Sequence, residues 1–134
     1  MTAEVLPSPA SRDIETISLI GFVHGVSHFF HLLLPPLFPW LMPEFGLSFT
    51  GIGSTMTVFF IVSGIGQAAA GFLVDRFGAV RVLAAGITCF ALASVVLHFA
   101  TGYVSLVAVA ALAGLGNSVF HPADFTVLNH RVSP

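Results

Sequence analysis

The stretch that decides the fold is GFLVDRFGAVRVL, residues 71–83, which sets Asp75, Arg76 and Arg81 between two long apolar runs. Charged residues make up only 7% of the 134-residue chain, so three in one short joint call for a cause. Soluble domains carry roughly 25% charged residues, whereas this chain is 56% hydrophobic with a mean hydropathy of +0.99. A water-facing surface cannot be assembled from that composition. Lipid is therefore the solvent expected for most of the outside, and the joint reads as a loop between two membrane spans.

Working outward from the joint, four apolar segments emerge: Ile17 to about Trp40, Phe49 to Val74, Val80 to Ala100, and Tyr103 to about Leu128. Each reaches the length of about 20 apolar residues that a hydrocarbon core of about 30 Å demands of a helix. The breaks between them are short: Met42 to Ser48 with Pro43, Glu44 and Gly46, the 71–83 joint itself, and Thr101–Gly102. Connections this short make neighbouring helices antiparallel. The expected fold is all-α integral membrane, with four transmembrane helices in residues 15–134 behind a disordered cytoplasmic tail at 1–14, where Pro7, Pro9 and small polar residues cluster. The first segment is too long for a signal-peptide core. The tail before it holds Glu4, Asp13 and Glu15 against Arg12, and no cleavage pattern follows, so the span is expected to be retained.

The basic residues set an orientation. Arg12, Arg76, Arg81 and Arg131 are the whole set, and in a four-span chain all fall on one side, which the positive-inside rule makes cytoplasmic. Trp40 and Tyr103 then fall at the outer headgroup layer, where amphipathic rings accumulate. A net charge of −2 without any basic run gives no footing for nucleic acid. Cys89 is the single cysteine, so no intrachain disulfide can form, and it reads as a small apolar filler.

In the joint, Gly71 and Gly78 suit close backbone approach and a tight turn, while Asp75 and Arg76 stand where the second helix leaves the membrane. The pattern Gly71-x-Leu73-x-Asp75-Arg76-x-Gly78 resembles the cytoplasmic-loop signature of the major facilitator superfamily of transporters. The resemblance departs from the family pattern in two places. Ala79 and Val80 stand where two basic residues usually follow the second glycine, with Arg81 after them, and Ala110 and Ala113 replace an arginine and a glutamine ahead of Gly114. GLGNSVFHPADF (114–125) and SHFFHLLLPPLFP (27–39) look like the bacterial branch related to fosmidomycin-resistance efflux proteins.

The resemblance implies an N-terminal four-helix portion of a transporter in a bacterial cytoplasmic membrane, with the C-terminal helices of the same transporter as its missing partner. It further implies alternating access between two halves, a small-molecule substrate, proton coupling, and a latch in which Asp75 faces the positive end of a helix from the other half while Arg76 and Arg81 hold the loop.

Two polar stripes are the candidates for substrate or proton handling. At about 100° per residue, His24, His28 and His31 share one helical face, with His28 nearest mid-membrane. On the fourth segment Asn117, His121 and Asp124 repeat the spacing. Polar groups in hydrocarbon cost several kcal/mol each, roughly, so such stripes belong on a bundle interior or a water-filled cavity. In the family's fold, the first and fourth helices line the central cavity. His121 and Asp124, one turn apart, form a titratable pair. Asn117 could serve as interhelical glue instead, and Gln67 reads as a structural hydrogen-bonding group. Pro122 removes the donor for the Ser118 carbonyl and predicts a kink. Gly21 with Gly25, and Gly114 with Ser118, form small-xxx-small pairs that suit close helix contact.

Two other classes fit the residues less well. A haem-bearing four-helix protein would need histidines at matched depths on facing helices, and only His28 with His121 comes near. A self-contained dimeric exporter would need a carboxylate within the first span, whereas Glu15 precedes it. No cofactor, metal site or enzymatic nucleophile is expected.

Overall fold

A computed structural model describes residues 9–133, and every element among them is helical. The elements are α1 (Pro9–His31), a single 3₁₀ turn (Pro35–Leu37), α2 (Phe38–Glu44), α3 (Phe49–Phe77), α4 (Ala79–His98), α5 (Tyr103–Ser118) and α6 (Phe120–Arg131). They compose four helices, or broken helices, long and apolar enough to cross a bilayer: Ala10–Glu44, Phe49–Phe77, Ala79–His98 and Tyr103–Arg131.

Proline and glycine place the breaks. Pro35 and Pro36 lack the N–H groups that would continue the first span, so α1 closes at His31 and the chain resumes as a 3₁₀ turn and the short α2. The first span is thus two pieces rather than one helix over 17–40. It also starts earlier than its apolar run: Pro9 to Asp13 are helical, because a proline at a helix's first position forgoes an N–H that would be unpaired anyway. Of the expected disordered tail, residues 1–8 lie outside the described residues. The Ser48 side chain accepts from the Gly51 N–H at 3.1 Å and caps α3. Gly78 ends α3 at φ +85°, its N–H donating to the Val74 carbonyl at 2.8 Å, and α4 begins at the next residue. That backbone angle is one a side chain disfavours, and glycine supplies it. In the fourth span the helical hydrogen bonding is interrupted at Val119, three residues ahead of Pro122, as the missing proline donor requires, while its φ of −93° and ψ of −15° stay helical.

α5 occupies the middle of the bundle, packed against α3 on one side and α4 on the other. Glycines make those crossings close. A Cβ on Gly114 would stand 2.7 Å from the Phe59 carbonyl oxygen, one on Gly116 2.8 Å from that of Gly86, and one on Gly66 2.6 Å from the Ser118 side chain. The expected pair Gly114 and Ser118 therefore sits on a helix contact. Gly21, Gly25 and Gly71 do not: a Cβ at any of them would meet nothing within 4 Å. α1 leans on this core through a ring column, Phe30 stacking on Phe90 at 4.5 Å and 5°, and Phe90 on Phe120 at 5.4 Å and 19°.

One end of the bundle gathers the charges. The Asp13 carboxylate accepts from both the backbone N–H and the hydroxyl of Ser133, joining the start of α1 to the end of α6. Arg12 and Arg131 line one depression there, and Arg81 and Arg131 another. At the opposite end Ser54 and Tyr103 share a hydroxyl hydrogen bond of 2.7 Å between the starts of α3 and α5.

Candidate functional site

The two polar stripes meet where α1 packs against α6. His24 Nδ1 lies 2.7 Å from Asp124 Oδ2, the one ion pair among the described residues. An ionised carboxylate only accepts, so with Asp124 charged it is His24 Nδ1 that carries the hydrogen. In neutral His24 that leaves Nε2 as an acceptor, and His28 Nε2, 3.1 Å away, donates to it. A second proton on His24 reverses the sense of that bond. Asp124, His24 and His28 thus form a hydrogen-bonded line from the fourth span to the first, whose direction reports its protonation. The His121 ring closes on His24 from the side, centroids 5.0 Å apart.

Beside this line is a cavity of about 260 Å³. His24, His121 and Asp124 supply its polar wall, Ile17, Ile20, Phe125 and Leu128 its apolar wall, and Gly21 leaves the space a side chain would fill. Asp124 is buried, and its second oxygen, Oδ1, has no hydrogen-bond partner among the described residues. In a membrane interior such a group is costly to leave unmet.

The remaining stripe residues separate. His28 is exposed beside the cavity, not in its wall. His31 stacks with His28 at 6.2 Å but packs on Phe59 and Phe60 of α3, at 4.8 and 5.1 Å, and the hydrogen-bonded line ends before it. Asn117 is buried and donates through Nδ2 to Ser63 Oγ at 2.8 Å, while Gln67 Nε2 donates to the same oxygen at 3.3 Å. That clamp joins α5 to α3 and lies away from the cavity lining. Ser63 was not singled out in the sequence, although its place one helical turn before Gln67 was a legible signal. Likewise Asp124 is bonded to His24 across the helices, not to His121 one turn away.

In the α3–α4 joint, Asp75, Arg76 and Arg81 are exposed and none is in an ion pair among the described residues. The Arg76 guanidinium lies 5.6 Å over the Phe77 ring.

Against known proteins, residues 17–134 match the Major Facilitator Superfamily. The chain belongs to that superfamily. This transporter-superfamily chain is 32% identical over 112 residues to the fosmidomycin resistance protein of Escherichia coli, covering 83% of this chain and 27% of that protein. It is 25% identical over 119 residues to YfnC, an uncharacterised MFS-type transporter of Bacillus subtilis, covering 89% of this chain and 29% of that one. It is 39% identical over 80 residues to a probable 4-methylmuconolactone transporter of Cupriavidus pinatubonensis, covering 60% and 19% respectively. The chain therefore spans less than a third of the length of the curated relatives it matches. No solved structure matches. The superfamily chain is a multi-pass membrane protein by its family and its four apolar spans.

Proposed function

We propose that the chain supplies the first four spans of a secondary transporter that moves a small solute by alternating access, coupled to protons, in a bacterial cytoplasmic membrane with the arginine-bearing end inside. The observation that carries this reading is the 2.7 Å contact of His24 with Asp124, which ties the first span to the fourth beside a cavity. Ionisable groups within spans belong to proton and solute pathways by default. A proton arriving on Asp124 removes the charge that holds His24, and the tie between α1 and α6 weakens. A proton leaving restores it. The site's chemistry is acid–base throughout, and the relatives carry the names of transporters or of a resistance protein. Asp75, exposed and in no ion pair among the described residues, suits a latch onto helices outside these four.

The test is transport by the complete transporter in sealed vesicles, with a pH-sensitive dye inside. Asp124→Asn keeps the shape of the bond and removes the titration. It should abolish proton movement while leaving solute exchange at equal concentrations intact. Undiminished proton movement in Asp124→Asn and in His24→Gln refutes the coupling.

A further inference from the structure

We infer that the histidine cluster is a receptor for a small organic anion with an apolar body, and that the anion and a proton load together. The inference rests on the reading of this site as a solute cavity and names the class of solute.

The first ground is the inventory of groups. Along α1 stand His24, His28 and His31, and α6 brings His121 and Asp124, with ring-to-ring centroid distances of 4.8 Å for His24–His28, 5.0 Å for His24–His121 and 6.2 Å for His28–His31. α5 and α3, which flank them, contribute Asn117, Ser63 and Gln67, none of which titrates, and Asn117 and Gln67 both donate to Ser63. The charged residues of α3 and α4 (Asp75, Arg76 and Arg81) stand at helix ends, Cys89 of α4 is half-buried, and Arg12, Asp13 and Glu15 stand more than two turns before His24. Four imidazoles therefore share a single carboxylate.

Counting charge gives the class. One proton on the cluster makes a His24 imidazolium against the Asp124 carboxylate, and the site is neutral. A second proton, on His121 in the cavity wall, leaves one positive charge within the span that no carboxylate of the cluster matches, a state the membrane disfavours. A carboxylate or other monoanion in the cavity cancels it, so second proton and anion stabilise each other, one for one. A cationic solute finds no such place: Asp124 Oδ2 is held by His24, and Oδ1 is buried away from the cavity surface. The apolar lining of Ile17, Ile20, Phe125 and Leu128 suits a hydrocarbon body behind the anionic group.

The experiment measures binding of three matched probes (benzoate, benzyl alcohol and benzylamine) to the purified detergent-solubilised protein at about pH 5.5 and about pH 8, either side of the imidazole range. Benzoate should bind at least about tenfold tighter at the lower pH, benzyl alcohol weakly at both, and benzylamine at neither. His121→Gln should erase the pH dependence. His121→Arg, which fixes the charge, should bind benzoate equally at both pH values and so answers for any folding defect in the glutamine variant. His98→Gln, at the far end of α4, should behave as the parent. Preference for benzylamine, benzoate binding that ignores pH in the parent, or no benzoate binding at all overturns the inference. Proton-coupled transport with no benzoate binding would sink the anion site alone. Benzoate binding without proton-coupled transport would sink the transport reading alone.

Discussion

Removing the His24 side chain tests the bridge between the outer spans most directly. In the native site Asp124 has one partner, His24 at 2.7 Å, and its other oxygen has none among the described residues. Hydrogen bonds between membrane helices average roughly 0.6 kcal/mol and reach about 1.7, because the separated helices find other partners. Bonds to a charged group contribute about 1.5–3 kcal/mol. Asp124 is buried and has no second partner among the described residues, so with its carboxylate charged the upper class applies. The coupling energy of His24 with Asp124 should be about 1.5 kcal/mol or more, a shift of roughly tenfold or greater in the unfolding equilibrium. The assay is a double-mutant cycle of His24→Ala and Asp124→Ala, with reversible unfolding in mixed micelles followed by helical circular dichroism. His24→Ala alone leaves an unmet carboxylate, and its cost should fall by the coupling energy once Asp124 is also removed. If His24→Ala costs the same in both backgrounds, within about 0.5 kcal/mol, the two side chains are not paired and the bridge is refuted.

Other outcomes follow from packing and backbone geometry. Gly116→Val should destabilise the protein by about 1–3 kcal/mol, since even a Cβ there would meet the Gly86 carbonyl at 2.8 Å, whereas Gly25→Ala, with open space around it, should be nearly neutral in the same unfolding assay. Gly78→Ala should cost about 1–3 kcal/mol from the φ of +85° alone, because no atom crowds its Cβ. Ser63→Ala should cost more than Gln67→Ala, by about 1 kcal/mol, since Ser63 is the acceptor for both Asn117 and Gln67. Single cysteines replacing Arg12 and Asp75 should label from the same side of sealed vesicles, and one replacing Trp40 from the other; a split between the first two refutes the proposed sidedness.

The spans were legible because hydrocarbon demands length and apolarity, and both can be counted along a sequence. The breaks at Pro35 and ahead of Pro122 were local consequences of missing donors, although the first was visible only as a proline pair inside a run that otherwise read as continuous. The helical start at Pro9 was hidden because its residues are polar and its support, the bond of Asp13 to Ser133, comes from the other end of the chain. The glycine pairs show the limit most clearly. Gly21 and Gly25 have the spacing of a packing motif yet face open space, while Gly86 and Gly116 make the closest crossing of α4 with α5. Spacing places residues on one face; which face meets a neighbour is decided by the whole bundle. The stripes were found for the same reason the spans were, but the pairing across them was not. Helical period groups His24 with His28 and His121 with Asp124, and only the crossing of α1 with α6 brings His24, rather than His121, onto the carboxylate.

The interrupted hydrogen bonding at Val119 gives the fourth span two unequal halves. Above it, α5 is wedged by Gly114 and Gly116 against two neighbours too near to slide. Below it, α6 has no glycine seat and bears the carboxylate. Any tilt of the twelve residues Phe120–Arg131 about that joint would change the gap to the first helix and, in the same movement, slide Phe120 against the Phe90 ring of α4.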